Sequence, residues 1–246
     1  MSLLTVQGLT KVYSGLTAVS AVDFTVQRGS ITALIGPNGA GKTTCFNLIA
    51  GATRCTAGRV TFDGQDITGL TPEQACERGI ARTFQIVRPL TGMSVLENVV
   101  VGALLREHSV AAAERQAMAV LERIGLGAKA HASASALALP ERKLLELAKA
   151  LATRPRLLML DEVMAGLRPT EADGIAQVLR DLNADGLTIL LIEHVMRVVM
   201  AVAQTIVVLH HGEKIAEGKP ERIVNDPKVI ECYFGAGVPA TMEAAP

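Results

Sequence analysis

This chain of 246 residues has no excess of positive or negative charge, and it has few aromatic residues and no tryptophan. Lysine plus arginine and aspartate plus glutamate each total 24, and no basic run exceeds two residues. A surface that binds nucleic acid needs clustered basic side chains to neutralise phosphates. The even balance therefore argues against DNA or RNA as a partner.

Long uncharged hydrophobic runs are also missing, although hydrophobic residues make up 49% of the chain. A membrane-spanning helix needs about 18 or more apolar residues in succession. The most apolar segment, residues 188–209, is interrupted by Glu193, His194, Arg197 and Gln204. The first ten residues lack the basic segment and long apolar core of a secretory signal. We therefore expect a cytoplasmic protein that reaches a membrane only through a partner.

Cysteine is limited to positions 45, 55, 76 and 232. No C-x-x-C pair is present, and no histidine stands at metal-binding spacing from these cysteines. This pattern favours reduced thiols over a zinc site or a disulfide framework.

The order of strand and helix signals divides the chain into three parts. The first 35 residues predict two antiparallel strands and then the buried strand ITALI. Residues 94–153 predict helices, and from residue 156 apolar strands alternate with helices, as in a parallel sheet covered on both faces. We predict an α/β fold with an antiparallel β flank. Residues 1–88 and 156–235 would form its core, residues 89–155 an inserted α-helical subdomain, and residues 236–246 a flexible tail.

The strongest chemical signal is the segment GPNGAGKTT between the strand ITALI and a predicted helix, which matches G-x-x-x-x-G-K-[ST]. Its glycines allow backbone N–H groups to turn inward, so that a polyphosphate meets a nest of donors at a helix start. Lys42 would reach the β- and γ-phosphates, and the Thr43 hydroxyl would bind Mg²⁺. The predicted ATP-binding residues are Gly36, Pro37, Asn38, Gly39, Ala40, Gly41, Lys42, Thr43 and Thr44.

A second signal is RLLMLDE, an apolar strand that ends in two adjacent carboxylates. Buried carboxylates are costly unless they have a partner or a task. Asp161 would hold Mg²⁺ through water, and Glu162 would polarise the attacking water. The alternative is a solvent-exposed acidic pair at the end of a strand.

With these motifs in this order, the chain resembles the ABC ATPase family over nearly its whole length. The resemblance implies a P-loop NTPase core. Gln85 in ARTFQ falls on the Q-loop, which touches Mg²⁺; His194 falls on the switch histidine, which contacts the γ-phosphate and the attacking water; and Tyr13 falls on the aromatic residue that stacks on adenine. Taken singly, each has a plainer explanation, as a polar strand end, a capping histidine and an edge-strand aromatic residue.

Longer segments narrow the resemblance to the ATP-binding subunits of branched-chain amino-acid importers. These segments include TPEQACERGIARTFQIVRPLTGMSVLENVVVG and IAEGKPERIVNDPKVIECYFG. The resemblance implies a second ATP-binding subunit, either a sister chain or a second copy, together with transmembrane permease subunits and a periplasmic solute-binding protein. It also implies a peripheral position on the cytoplasmic face of the inner membrane. Urea and amide importers are close relatives and remain an alternative.

The chain departs from the family at its LSGGQ signature, where it has Leu137, Ala138, Leu139, Pro140 and Glu141. In the family this segment donates a hydroxyl and backbone N–H groups to the γ-phosphate held by the opposite subunit. Ala138 has no hydroxyl, Pro140 has no N–H, and Glu141 brings like charge towards a phosphate. The same residues make a good helix start, because proline and an acidic residue suit the first turn.

Two smaller departures follow Glu162. Val163 stands where the family commonly has proline, and Arg168 stands where an aspartate or asparagine reaches across the dimer. Arg168 could face the partner's phosphates, or it could pair with Glu171 in its own chain, which we favour.

We hypothesise that a site facing this chain's own signature hydrolyses ATP slowly. Two rival functions follow: a low-turnover regulatory subunit of the same complex, and a soluble ABC ATPase of DNA repair or translation, which the missing coiled-coil insert and basic surface disfavour.

Overall fold

The computed structural model describes residues 1–83 and 89–234. Its strands are β1 (Ser2–Tyr13), β2 (Leu16–Gln27), β3 (Ile31–Ile35), β4 (Ala57–Phe62), β5 (Gln65–Asp66), β6 (Ile80–Arg82), β7 (Leu157–Asp161), β8 (Thr188–Ile192), β9 (Thr205–His210) and β10 (Glu213–Gly218). Its α-helices are α1 (Lys42–Ile49), α2 (Pro72–Glu77), α3 (Val95–Ala103), α4 (Val110–Arg123), α5 (Leu139–Ala152), α6 (Pro169–Ala184), α7 (Met196–Val202), α8 (Pro220–Ile223) and α9 (Pro227–Phe234).

The larger sheet has the strand order β10-β9-β3-β8-β7-β6. Neighbouring strands from β9 to β6 run parallel, and β10 pairs with β9 in an antiparallel hairpin. Every residue of β3, β7 and β8 is buried, as expected for strands that are covered on both faces. The segments that follow these three strands therefore meet at one edge of the sheet.

The smaller sheet is antiparallel, with the order β2-β1-β4-β5. It shares a hydrophobic core with one face of the larger sheet, and Cys45, Phe46 and Ile49 of α1 belong to that core. The other face of the larger sheet packs against α6 and α7 through residues such as Leu179 and Val199. The predicted α/β fold with an antiparallel flank is confirmed.

A third core cluster lies within residues 95–152 and joins α3, α4 and α5. Helix α5 also contributes Leu147 to the core under the larger sheet, so it connects the helical segment to that sheet. The predicted subdomain boundaries remain predictions, and the predicted tail at 236–246 lies outside the described residues. Among the residues that the structure describes, no helix is both long enough and apolar enough to cross a membrane.

Candidate functional site

The glycine-rich loop connects β3 to α1 in a backbone conformation that only glycine accepts at two points. Gly36 has φ +148° and Gly41 has φ +97°. A Cβ at Gly36 would lie 2.1 Å from the Leu209 carbonyl oxygen, and one at Gly41 would lie 2.6 Å from the Ala18 carbonyl oxygen. The loop therefore packs closely against β9 and β2, and this conformation requires residues without side chains at positions 36 and 41.

The start of α1 is open to an anion. Gly41 is its N-cap, no side chain caps it, and its first turn has no acidic residue. Asn38, Gly39 and Thr43 are exposed, whereas Gly36 and Ala40 are buried. Pro37 and Thr44 are half-buried and complete the predicted loop. The first backbone N–H groups of a helix have no partners within the helix and carry its positive end, so this start offers donors to a negatively charged ligand.

Lys42 lies over this loop with its amine turned inward. Its Nζ atom donates to the carbonyl oxygens of Gly36 at 2.7 Å and Pro37 at 2.9 Å. Burial lowers the pKa of the Lys42 ammonium, and the charges of Glu162 and Asp161 oppose that shift. Lys42 and the two predicted carboxylates therefore belong to one electrostatic site.

Asp161 ends β7 and is held by an arginine that the sequence analysis did not single out. Its side chain is 4% exposed, and its Oδ2 atom accepts a hydrogen bond from Arg82 Nη2 at 2.8 Å. Arg82 is the last residue of β6, the strand beside β7. Arg82 thus compensates the buried charge of Asp161, which a carboxylate in this position requires.

Glu162 comes directly after β7 and has φ +49°, an uncommon conformation for a residue with a side chain. Its backbone N–H donates to the Ile192 carbonyl oxygen at 3.0 Å. Its Oε1 atom lies 3.9 Å from Nδ1 of His194, whose side chain is 56% exposed. The structure therefore brings the predicted Glu162 and His194 together, at a separation too long for a direct hydrogen bond.

Two buried charged residues that the sequence analysis gave no role lie behind this pair. Lys143 of α5 is 5% exposed, and its Nζ atom donates to the Glu162 carbonyl oxygen at 3.3 Å. Glu193, which follows β8, is 1% exposed, and its Oε1 atom accepts the Met164 N–H at 2.9 Å. Burial raises the pKa of Glu193 and lowers that of Lys143. In the sequence, Glu193 could have been singled out because it is a carboxylate within an otherwise apolar segment.

Tyr13 and Gln85 are the two remaining predicted site residues. Tyr13 ends β1, is 43% exposed, and has Lys11 Nζ at 4.7 Å from its ring centre. Its hairpin partner β2 is the strand that approaches Gly41, so the β1–β2 hairpin lies beside the loop. Gln85 lies outside the described residues. The roles of both residues stay predictions.

The altered signature forms the start of α5 and is closed by its own chain. Helix α5 begins at Leu139 with Ala138 as N-cap. The Ala138 N–H donates to Glu141 Oε2 at 3.0 Å, and Glu141 also pairs with Lys129. The Lys129 ammonium contributes most to the lowered pKa of the Glu141 carboxyl. This geometry agrees with the interpretation of the segment as a helix start.

Arg168 pairs within its own chain, as favoured from the sequence. Its Nε atom donates to Glu171 Oε1 at 2.7 Å, and its backbone N–H donates to Glu171 Oε2 at 2.8 Å. The side chain is 81% exposed. Val163, the other departure, is buried at 3% exposure.

The donor set at the edge of the sheet suits Mg²⁺. Within the described residues, no three histidine, cysteine, aspartate or glutamate side chains group together as a metal cage. Mg²⁺ binds in proteins through one or two oxygen ligands and completes its shell with water and phosphate oxygens. The Thr43 hydroxyl and the Asp161 carboxylate fit that requirement.

Family models and known relatives cover most of this chain. A model described as "ABC transporter" matches residues 19–165, and one described as "Branched-chain amino acid ATP-binding cassette transporter" matches residues 213–239. The high-affinity branched-chain amino acid transport ATP-binding protein BraF of Pseudomonas aeruginosa is 39% identical, with 95% of this chain and 98% of BraF covered. LivG of Escherichia coli, described in the same words, is 40% identical, with the same coverage.

Solved structures give the same result for the fold. The ADP conformation of MJ1267, an ATP-binding cassette of an ABC transporter, superposes with a TM-score of 0.88 at 33% identity. The match covers 96% of this chain and 99% of that one.

Proposed function

The chain belongs to the ABC transporter family, and from that membership we propose that it is the ATP-hydrolysing subunit of an importer for branched-chain amino acids. One observation carries the chemical part of this proposal. The glycine-rich loop, the two carboxylates after β7 and His194 after β8 stand at the same edge of one parallel sheet. The family match at residues 213–239 and the names of BraF and LivG support the choice of solute.

ATP would bind at the start of α1. The N–H groups of residues 36–44 would cradle its phosphates, and Lys42 would exchange the Gly36 and Pro37 carbonyl oxygens for β- and γ-phosphate oxygens. This exchange is inexpensive, because the ammonium keeps oxygen partners throughout. Tyr13 would stack on the adenine ring.

A bound Mg²⁺ would neutralise developing charge on the phosphates. Thr43 would hold it directly, Asp161 would hold it through water, and Gln85 would complete the protein ligands. Arg82 keeps the Asp161 carboxylate in place before the metal arrives.

Hydrolysis would depend on the pair at the ends of β7 and β8. The Glu162 carboxylate would accept a hydrogen bond from the attacking water and increase its nucleophilicity. His194 would contact the γ-phosphate and the same water from the neighbouring strand end. Oε1 of Glu162 and Nδ1 of His194 lie 3.9 Å apart, and a water molecule bound between the two strand ends would contact both side chains.

The protein would act as one half of a pair of ATP-binding subunits on the cytoplasmic face of the plasma membrane. Its conformational changes would be transmitted to permease subunits, and a solute-binding protein would deliver the amino acid. Because Glu141 accepts the Ala138 N–H and Pro140 has no N–H, the start of α5 would be a poor phosphate ligand. We propose that an intact sister subunit completes the fast site on this chain's loop, while the opposite site turns over slowly.

The closed start of α5 also favours a second candidate, a regulatory subunit that closes around ATP and rarely hydrolyses it. ATP turnover by the purified chain, measured with and without the sister subunit, separates the two. The main proposal predicts a large stimulation by the sister. Equal, slow turnover in both samples would favour the regulatory subunit.

Uptake by cells that lack this subunit tests the solute. We expect loss of labelled leucine, isoleucine and valine uptake, restored by the chain and not by Lys42→Ala. Intact leucine uptake with lost urea uptake would overturn the choice of solute.

A further inference from the structure

The backbone turn that carries Glu162 is held in an unfavourable shape. Glu162 has φ +49°, in the left-handed region that residues with side chains rarely adopt. Within the turn, the Ala165 N–H donates to the Glu162 carbonyl oxygen at 3.1 Å. Because the left-handed conformation is disfavoured, contacts from outside the turn must contribute to keeping it.

Two buried side chains supply such contacts. One belongs to a residue that precedes the turn in the chain, and the other to a residue that follows it. Lys143 reaches the Glu162 carbonyl oxygen from α5 at 3.3 Å. Glu193 accepts the Met164 N–H at 2.9 Å from the end of β8. Their residues are 5% and 1% exposed, and the contact made by Glu193 is fully buried. One donates to the turn and the other accepts from it.

The negative charge of Glu193 also acts on Lys143. Burial lowers the pKa of Lys143, and the charge of Glu193 is the first of three carboxylate charges that oppose the shift. The second oxygen of Glu193, Oε2, is buried and has no hydrogen-bond partner among the described residues.

We propose that Lys143 and Glu193 are positioning residues that fix the turn at residues 162–164, so that the Glu162 carboxylate faces His194. The inference rests on the proposed role of Glu162 in hydrolysis. It also makes α5, the helix that begins with the altered signature, part of the support for the candidate base in the same chain.

Lys143→Met tests the proposal, because it keeps the length and apolar stem of the side chain and removes the ammonium. Small displacements of a catalytic group can lower turnover by up to about a hundredfold. We expect kcat of the assembled importer to fall by at least about tenfold, while Mg·ATP affinity of the full chain, measured by calorimetry, stays within about twofold. Lys143→Arg, which keeps a donor, should recover part of the lost turnover.

Lys149→Met is the matched control on the same helix. Lys149 pairs with Glu146, a residue of the same helix, at 2.8 Å. It should leave kcat nearly unchanged, although its melting temperature falls with the loss of that pair. Equal loss of kcat in the two methionine variants, or loss that follows melting temperature alone, would overturn the proposal.

Glu193 offers an independent test on the other side of the turn. Glu193→Gln keeps an oxygen for the Met164 N–H and should retain more turnover than Glu193→Leu, which leaves that N–H buried without a partner. Equal turnover in these two variants would contradict the assigned contact. If the unaltered chain failed to bind Mg·ATP at all, the proposed function would fail; binding with turnover unaffected by Lys143→Met would sink this inference alone.

Discussion

The N-termini of α1 and α5 differ in what happens to their backbone N–H groups. Each exposes backbone N–H groups that have no partner within the helix. At α1, glycine precedes Lys42 and no acidic side chain enters the first turn. At α5, Pro140 removes one N–H and Glu141 accepts the Ala138 N–H.

The contrast shows how two or three residues decide whether a helix start can receive an external anion. The first start keeps its donors available and adds a cation beside them. The second lacks one donor because of Pro140 and gives the Ala138 N–H to a carboxylate of its own chain. On our proposal, the chain would offer a complete phosphate-binding loop to its own nucleotide and few donors to a nucleotide held by a partner.

The largest effect should come from Glu162→Gln in the importer assembled with an intact sister subunit. If the site at α1 performs nearly all hydrolysis, this one change should lower total ATP turnover by about 10²- to 10⁴-fold, the usual contribution of a general base. Mg·ATP binding should remain. The equivalent change in the sister should have little effect, and equal losses from the two changes would contradict the asymmetry.

A Cβ placed in the loop before α1 should weaken nucleotide binding next most strongly. In Gly41→Ala the new atom would lie 2.6 Å from the Ala18 carbonyl oxygen, and φ +97° is strained for alanine. We expect Mg·ATP affinity to fall by about tenfold or more, since about 1.4 kcal/mol corresponds to a factor of ten.

Gly174→Ala is the control for that change. Gly174 lies in α6, its φ is not in the left-handed region, and its Cβ would meet open space. Its affinity for Mg·ATP should match that of the unaltered chain. Equal weakening by the two alanines would remove the loop from the account.

Reopening the start of α5 should raise turnover more modestly. The variant Ala138→Ser, Leu139→Gly, Pro140→Gly and Glu141→Gln restores a hydroxyl and backbone donors and removes a negative charge. Turnover by the chain alone should rise by about tenfold, less than the 10²- to 10³-fold value of a single strong oxyanion donor. Lys129→Met, which removes only the partner of Glu141, should give no comparable gain. No rise in a folded, ATP-binding variant would contradict the contrast between the two starts.

The smallest effect should be on stability. Glu141→Gln weakens the closure of α5 and should lower the melting temperature slightly, in line with about 1 kcal/mol or less for a surface contact. Because the folded-state pKa of Glu141 is lowered, its contribution is present above the ordinary glutamate pKa and is lost as pH falls through the folded value. Melting curves of the two proteins should therefore converge in acid.

The parts of the site that are local in sequence were predictable. Residue spacing and a preceding apolar strand identify both the loop at residues 36–44 and the carboxylate pair after β7. Capping at α5 follows from proline and glutamate in succession. In each case the interacting groups are neighbours along the chain, so the pattern contains the geometry.

The residues that the sequence did not reveal act across the fold. Arg82 and Asp161 meet because β6 and β7 are adjacent in the sheet. Lys143 meets Glu162 because α5 packs against the larger sheet. Glu193 was visible only as an interruption in an apolar segment. Nothing in a single sequence specifies which distant carboxylate or carbonyl oxygen such a side chain will reach.

Calorimetric titration of the full chain with Mg·ATP, beside Lys42→Ala, tests the central claim most directly. An open start of α1 with the Lys42 ammonium beside it predicts measurable heat and saturable binding, and a large loss of affinity in the variant. Absence of binding by the folded chain, or identical titrations for the two proteins, would contradict it.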